Sequence, residues 1–411
     1  MPIDSYRLAS RLESLSECGR TASGGVTRPT WSAPYRKAMD LVQGWMEEAG
    51  LTVRVDAAGN LIGRRPGRQP GAPAILLGSH LDSVVEGGRF DGAAGVVAAV
   101  EVAQALAEDG VHLQHPLEVV VFTEEEGTRF AYSFIGSRAM LGQLNPAVRA
   151  LHDRDGIPFD QVLRDFGLDP ERLPEATRDR LEMAAYLDMH IEQGPTLETA
   201  GHPVGVVSGI VGISILALTL TGQANHAGGT PMGLRHDPLA GAAELVLATE
   251  RIAREMGPGA RGTVGRLEVR PGQHNVIPGQ VRMTFDLRDF DQDVLDAMEA
   301  ELRRQIERVA GKRGLEADLS ELMRAAPVSM HPLAIQAIGQ ACEQEGLPVH
   351  ELPSGAGHDA QIMASVVPTG MLFVRCRQGI SHSPLEYAST EDLAAGARVL
   401  YRAVAMLDLR L

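Results

Sequence analysis

The sequence predicts an α/β fold in which a mostly parallel sheet with helices on both faces is interrupted by a smaller α+β domain. Several short apolar runs end in polar or Gly-rich turns, and an apolar helix lies between the first two runs. A segment with a different, β-α-β-β-α order then precedes another run of the first kind. The 411 residues are also too many for one ordinary compact core, which favours two domains.

The larger domain is predicted from apolar runs at residues 74–77, 117–122, 184–187 and 371–374. Between the first two, residues 92–109 carry Ala, Val and Leu at helical spacing, so the order is strand, helix, strand. That order is typical of a parallel sheet, and ligands of such sheets bind at the carboxyl ends of the strands.

The middle of the chain has the pattern of a separate α+β domain. Residues 213–220, 262–269 and 281–287 are predicted strands, and residues 238–256 and 294–309 are predicted amphipathic helices. We therefore expect a catalytic domain formed by residues 1–211 and 328–411, with residues 212–327 inserted in it.

Composition and charge exclude several classes of protein. The formal charge of −15 opposes binding to a phosphate backbone, so we expect no nucleic-acid partner. No segment approaches the roughly 20 apolar residues of a membrane span, and the start lacks a signal-peptide pattern, which predicts a cytoplasmic protein without a membrane partner. Cys18, Cys342 and Cys376 are too few and too far apart for a disulfide framework or a cysteine-based zinc site.

His80, Asp82 and Asp91 are the first candidates for chemistry. In the H-x-D pair, His80 can bind a metal while Asp82 orients its imidazole ring, although such a pair also occurs in ordinary surface or structural positions. Asp91 lies among glycines in VVEGGRFDGAAG, where the backbone can turn sharply and bring one carboxylate between two cations. The alternative for Asp91 is a Gly-rich turn that it caps.

Further candidates follow other predicted strands. Glu124, Glu125 and Glu126 repel one another unless positive charge is near, although a solvated acidic loop is the alternative. His190 and His382 follow apolar runs, and either alone could be a buried hydrogen-bonding residue. Taken together, the histidines and carboxylates fit two divalent ions of the Zn, Mn, Co or Ni type.

Six segments, in order along the chain, resemble the dinuclear-metal superfamily of aminoacylases and metallo-carboxypeptidases. They are GSHLDSVVEGGRFDGAAG, FTEEEGTRF, DMHIEQGPTLE, GQANHAGGTPM, GQHNVIPG and SGAGHDA, and they cover nearly the whole chain. Within the superfamily, they are similar to the hydantoinase/carbamoylase subfamily, which contains N-carbamoyl-L-amino-acid hydrolases, allantoate amidohydrolases and β-ureidopropionases.

The resemblance implies a role for each metal-site candidate. Asp91 would bridge two ions, Glu125 would be the general base, and Glu124 would be only a neighbour, because the family places base and ligand immediately before the glycine at 127. The implied terminal ligands are His80 and His190 for one ion, and Glu126 and His382 for the other. His190 stands where peptidase relatives usually carry a carboxylate, which favours the ureido branch of the superfamily.

The resemblance also implies substrate contacts. Gln193, His226, Asn275 and Arg288 match positions that bind the ureido oxygen and the substrate carboxylate, and Gly357 lines the pocket. An arginine can hold a carboxylate through a bidentate fork, and a histidine can donate to a developing oxyanion. In relatives the lid histidine reaches the partner subunit's site, so the resemblance implies a homodimer and a lid and dimerisation role for the inserted domain.

The predicted function is hydrolysis of the ureido C–N bond of N-carbamoyl-L-amino acids to L-amino acid, ammonia and carbon dioxide. In this hypothesis Glu125 takes a proton from water and passes it to the leaving nitrogen. Allantoate amidohydrolase is the alternative, because both substrates carry a ureido group and a carboxylate. A peptidase or N-acyl aminoacylase is disfavoured by His190 and Gln193. A non-catalytic ligand-binding protein on the same scaffold is a more distant alternative.

Overall fold

The structure, a computed structural model, describes residues 3–411 and contains two compact units. The larger unit consists of the residues up to Gly209 together with Ser329–Leu411, and the smaller unit is Ile210–Val328. Among the described residues, no helix combines the length and the apolar character that crossing a membrane requires.

The secondary-structure elements are numbered in chain order. The strands are β1 (Thr52–Val55), β2 (Leu61–Arg65), β3 (Ala74–His80), β4 (Leu117–Phe122), β5 (Met183–Ile191), β6 (Val204–Ile210), β7 (Gly212–Thr221), β8 (Asn225–His226), β9 (Arg261–Arg270), β10 (Val276–Ile277), β11 (Gln280–Asp289), β12 (Glu316–Ala325), β13 (Val328–Ser329), β14 (Glu351–Ser354) and β15 (Thr369–Val374). The α-helices are α1 (Ser5–Ser16), α2 (Ala33–Glu48), α3 (Ala93–Glu108), α4 (Ile135–Met140), α5 (Phe159–Asp165), α6 (Thr196–Ala200), α7 (Pro238–Met256), α8 (Gln292–Arg313), α9 (Pro332–Gln344), α10 (Asp359–Met363) and α11 (Thr390–Asp408).

The larger unit is built around a mixed sheet whose central strands are parallel. Its strand order runs from β1 through β2, β4, β3, β5 and β15 to β6, and β14 also pairs with β6. The pairs β3–β4, β3–β5 and β5–β15 are parallel, whereas β2 and β6 flank them in antiparallel pairs. Helices flank this sheet, so the predicted α/β class with a mostly parallel sheet is confirmed.

Strand β5 shows how the sheet positions chemistry on one face. Ala185, Leu187 and Met189 belong to the apolar core on one side of the strand. Because side chains of a strand alternate, Asp188 and His190 point to the opposite face. The strand was predicted to end at residue 187, but it continues through His190, so this histidine lies within the strand and is buried.

Helix α3 is packed on all sides. It begins directly after Asp91 and Gly92, and its sequence AAGVVAAVEVAQALAE is almost entirely buried. Small Ala and Gly side chains allow close approach to the sheet: a Cβ at Gly95 would lie 2.2 Å from the Met189 carbonyl oxygen. The helix therefore fixes the position of the segment that carries Asp91.

The smaller unit contains an antiparallel sheet with strand order β12-β7-β11-β9 and a short ribbon formed by β8 and β10. Leu216, Leu218 and Leu220 on β7 are buried and alternate with more exposed residues, as expected for a sheet with one covered face. Helices α7 and α8 contribute Leu245, Leu302 and other apolar residues to the same core. The sheet contains β12, which was not predicted from the sequence.

Candidate metal centre

Two groups of possible metal ligands share Asp91 in the larger unit. The inner group is His80, Asp91 and His190, and the outer group is Asp91, Glu126 and His382. Within each group, one ligand atom of every residue lies within 4.8 Å of the others. All five predicted metal ligands are thus brought together from four distant stretches of chain.

In the inner group, two imidazole rings face one carboxylate oxygen. Asp91 Oδ1 lies 3.6 Å from His80 Nε2 and 3.0 Å from His190 Nε2, and the two rings stack with centroids 5.7 Å apart. The Nδ1 atoms lie 3.0 Å from the carbonyl oxygens of Asp82 and Ile191. A neutral imidazole that donates from Nδ1 presents a lone pair at Nε2, so each ring offers the Asp91 side a metal-binding atom.

The outer group is more open to solvent. His382 Nε2 lies 3.0 Å from Asp91 Oδ2 and 3.6 Å from Glu126 Oε1, and the His382 side chain is 49% exposed. The hydrogen bond to Asp91 raises the pKa of His382 to about 9, and burial raises the pKa of Glu126 to about 7. The outer group therefore combines a buried carboxylate with a half-exposed imidazole.

Asp91 divides its oxygens between the two groups, as a bridging ligand requires. Burial alone would raise the pKa of Asp91, but His190, His382 and His80 hold it well below its ordinary value. The next residue, Gly92, has φ +62°, and a Cβ there would lie 2.5 Å from the His80 ring. Glycine at this position thus permits the approach of His80 to Asp91.

The donor set of each group fits a metal cation. Imidazole nitrogens and carboxylate oxygens are the ligands that zinc and similar ions prefer. Burial lowers the pKa of His80, but Glu125, Asp82 and Asp91 together raise it well above its ordinary value. These buried carboxylates thus favour positive charge at the position where Nε2 faces Asp91, and a bound metal cation would supply that charge.

Glu125 lies beside the inner group without belonging to it. Its Oε2 is 3.8 Å from His80 Nε2, and its Oε1 is 4.0 Å from His358 Nδ1. Burial raises the pKa of Glu125 well above its ordinary value. Glu124 contacts neither group: it has φ +52°, and its carboxylate accepts the backbone N–H groups of Arg129 and Phe130 at 2.8 and 3.0 Å.

The position of Asp82 differs from the expected one. We expected its carboxylate to orient the His80 imidazole, but Oδ1 lies 3.7 Å from His80 Nδ1, too far for a hydrogen bond. The Asp82 backbone carbonyl accepts from that nitrogen instead. The carboxylate accepts the backbone N–H groups of Glu125 and Glu126 at 3.3 and 3.0 Å, so it fixes the turn that carries both glutamates.

Gln193 and Gly357 also lie in the larger unit. Gln193 has φ +56°, and its Nε2 lies 2.9 Å from Asp91 Oδ2, at the shared carboxylate. Gly357 is in the loop between β14 and α10, directly before the buried His358. His358 was not predicted from the sequence, and its ring centroid is 4.4 Å from that of His190. Its place immediately after the SGAG turn was the available signal.

Asp188 was also missed. It is buried two residues before His190 on β5, and alternation along the strand puts both side chains on the same face. Burial raises the pKa of Asp188 to about 6. The spacing D-x-H in DMHIEQG was therefore a signal that the sequence already contained.

The remaining predicted contacts are in the smaller unit. His226 pairs with Val276 on the β8–β10 ribbon, and Asn275 directly precedes β10, where its carbonyl accepts from Ala227 N at 3.0 Å. His226 Nδ1 accepts the N–H groups of Gly228 and Gly229, both at 3.0 Å, so the proton of the neutral ring is on the exposed Nε2.

Arg288, on β11, is engaged by a neighbouring carboxylate. Its Nε and Nη2 donate to the two carboxylate oxygens of Asp286, both at 2.8 Å. This two-point contact has the geometry with which an arginine binds any carboxylate. Arg288 thus shows the predicted bidentate geometry, but the carboxylate that it binds is that of Asp286.

The sequence profile described as "Peptidase family M20/M25/M40" matches residues 76–406 of this chain. The chain belongs to this family. It is 48% identical over 402 residues to an N-carbamoyl-L-amino acid amidohydrolase from Geobacillus stearothermophilus, covering 98% of both sequences. It is 36% identical to an allantoate deiminase from Arabidopsis thaliana, covering 95% of this chain and 80% of the relative.

A solved structure gives the same result. The crystal structure of an amidase of the hydantoinase/carbamoylase family from Burkholderia vietnamiensis superposes with a TM-score of 0.92 at 39% identity, covering 98% of this chain and 97% of the other. The resemblance drawn from the six sequence segments is therefore confirmed, and the protein is a hydrolase.

Proposed function

We propose that this protein hydrolyses the ureido C–N bond of N-carbamoyl-L-amino acids, yielding the L-amino acid, ammonia and carbon dioxide. The observation that carries the proposal is the pair of ligand groups sharing Asp91, with Glu125 beside them. The relative from Geobacillus stearothermophilus, which matches over almost the full length of both sequences, supports this substrate class over a peptide.

Five side chains would hold two divalent ions per subunit. His80 and His190 would be the terminal ligands of the inner ion, Glu126 and His382 would be those of the outer ion, and Asp91 would be common to both. When bound, such ions would supply Lewis acidity to a water molecule and to the carbamoyl oxygen. Zn, Mn, Co and Ni all suit this set of nitrogen and oxygen donors.

Glu125 is the general base and then the general acid. It takes a proton from the attacking water and returns it to the leaving nitrogen, so the carboxyl group ends the cycle as it began. Burial raises the pKa of Glu125, so its carboxylate is a stronger base than that of an exposed glutamate. The Asp82 carboxylate assists by holding the Glu125 and Glu126 backbone.

The substrate is recognised through its carboxylate and its ureido oxygen. Arg288 exchanges Asp286 for the substrate carboxylate, with Asn275 as a further donor, while His226 donates its Nε2 proton to the oxygen that becomes negative during attack. Gln193 contacts the ureido group, and Gly357 leaves space for the substrate.

The inserted segment, residues 212–327, acts as a lid and as the dimerisation domain of a homodimer. Closure of a lid excludes water from the reacting bond, which strengthens the electrostatic contacts there. The enzyme works in the cytoplasm, where its three free cysteines, Cys18, Cys342 and Cys376, stay reduced.

Allantoate is the second candidate substrate, favoured by the identity to the Arabidopsis thaliana allantoate deiminase. It carries a carboxylate and two ureido arms, so it needs polar groups where a carbamoyl amino acid places its side chain. The residues that bind the first ureido group and the carboxylate serve both substrates.

Ammonia release tests the proposal and separates the candidates. Protein stripped with a chelator and reloaded with Mn, Co, Ni or Zn is assayed on N-carbamoyl-L-methionine, its D-enantiomer and allantoate. We expect turnover of the L-compound above the other two. Faster turnover of allantoate would establish the alternative, and two bound ions without ammonia from any of the three compounds would contradict the proposed substrate class.

A further inference from the structure

Glu386 is a buried carboxylate that links the loop before Asp91 to the loop that carries His382. Its side chain is 4% exposed, and it lies four residues after His382 in the segment HSPLEYAS. One oxygen, Oε1, accepts the backbone N–H groups of Phe90 and Asp91 at 2.8 and 3.0 Å. The other, Oε2, accepts from the Ser381 hydroxyl at 2.7 Å.

These contacts act on both sides of the outer ligand group. Asp91 and Ser381 are 290 positions apart in the chain, so no local turn sets their separation. Ser381 directly precedes His382, and its hydroxyl oxygen lies 3.3 Å from Asp91 Oδ2. A single hydroxyl proton serves the nearer acceptor, which is Glu386, and this fixes the backbone that presents His382.

The chain leaves space for the Glu386 carboxylate at Gly88. A Cβ at that position would lie 2.0 Å from the Glu386 carboxyl carbon and from Oε1. Real Cβ atoms do not approach other atoms so closely, so a side chain at position 88 would displace the carboxylate or the loop. The absence of a side chain at Gly88 is thus what allows the Glu386 carboxylate to occupy its position.

From this geometry we infer that Glu386 is a positioning residue. By fixing Asp91 and His382 relative to each other, it sets the affinity of the protein for the outer ion. The inference rests on the two-ion centre proposed above. The inner ion depends on Glu386 only through Asp91, because His80 and His190 are oriented by the carbonyl oxygens of Asp82 and Ile191. The outer ion depends on it through both Asp91 and His382.

Titration of Co²⁺ into chelator-stripped protein tests the inference without any substrate. Two variants are compared with the wild type, Glu386→Ala and Glu386→Gln, by calorimetry and by the visible absorption of bound Co²⁺. Outer partners of metal ligands typically contribute about 10- to 100-fold in affinity. We expect Glu386→Ala to lose that factor at one ion and much less at the other, with Glu386→Gln restoring most of the loss, since its amide oxygen still accepts both N–H groups.

Asp408→Ala is the matched control. Asp408 is 6% exposed and also accepts two backbone N–H groups, those of Gln114 and His115, plus the His115 ring nitrogen. Replacing Asp408 by alanine removes about as many hydrogen bonds as replacing Glu386 does, but none of them involves a ligand of either ion. If Asp408→Ala weakens Co²⁺ binding as much as Glu386→Ala does, or if Glu386→Ala binds both ions normally, the inference is wrong.

The Ser381→Ala variant keeps the inference testable if the Glu386 variants do not fold. It removes one contact at Oε2 and leaves the two backbone contacts at Oε1, so we expect a smaller loss confined to the same ion. Unchanged Co²⁺ binding in Ser381→Ala together with an unfolded Glu386→Ala would also overturn the inference. The Co²⁺ titration uses no substrate. If the protein proved inactive on ureido compounds, the proposed function would be wrong, but the role of Glu386 in metal binding could still be confirmed.

Discussion

The inner and outer ligand groups use the same kinds of donor in different surroundings. His80 and His190 have side chains that are 2% and 1% exposed, and each is oriented by a backbone carbonyl. His382 is 49% exposed and lies on a loop held by side-chain hydrogen bonds. The same donor types thus form one buried group and one group open to solvent, so we expect the inner ion to exchange slowly and the outer ion to exchange readily.

The substitution Asp91→Asn removes the carboxylate that the two groups share, so we expect it to have the largest effect on activity. An amide offers one neutral oxygen instead of two charged ones, so both ions lose a ligand and the opposing imidazoles lose their counter-charge. We expect activity to fall by at least about 10⁴-fold, the upper end of what a general base alone contributes, and metal content to fall with it. Elemental analysis beside the ammonia assay checks this, and retention of two tightly bound ions would argue against a bridging carboxylate.

Glu125→Gln separates chemistry from metal binding, because Glu125 belongs to neither group. The amide keeps the shape of the side chain but cannot accept the proton of water. We expect a loss of about 10²- to 10⁴-fold in kcat with both ions still bound. Full turnover in this variant would exclude Glu125 as the base, whereas loss of an ion would mean that Glu125 is a ligand.

His190→Ala and His382→Ala test the difference between the sites directly. Both should lose one ion, but only His190→Ala leaves a hole in a buried region. For the metal-free proteins we expect a loss of about 2 kcal/mol in unfolding free energy for His190→Ala and almost none for His382→Ala. Urea unfolding measures this, with His115→Ala as a buried histidine outside both groups. Equal destabilisation by the two variants would contradict the contrast in burial.

The smallest expected effect is a pH dependence of the affinity for the outer ion. Without metal, His382 keeps its proton up to its raised pKa of about 9, and Glu126 keeps its proton up to about 7. A cation must displace these protons, so affinity should rise with pH and level off above about 9. Calorimetry of the wild type in buffers of different ionisation enthalpy should show proton release when the outer ion binds at pH 8 and almost none above about 9.

Much of the site could be predicted because its signals are local. Apolar runs, glycines and the H-x-D, FDG and EEEG patterns lie within a few residues of one another, and alternation or helical spacing assigns their side chains to a face. Strand β12 was missed for the opposite reason. Its sequence EADLSELMRA lacks β-branched residues and is mostly exposed, and pairing with β7, not its own pattern, makes it a strand.

The sequence by itself determined which residues have metal-binding chemistry and which strongly patterned segments form strands and helices, because both follow from residue type and short-range periodicity. Tertiary structure alone decided that the Asp82 carboxylate holds the glutamate turn and that Glu386 holds Asp91. It also decided which histidine is buried and which is exposed. These outcomes depend on contacts between residues far apart in the chain, and a local pattern carries no information about such distances.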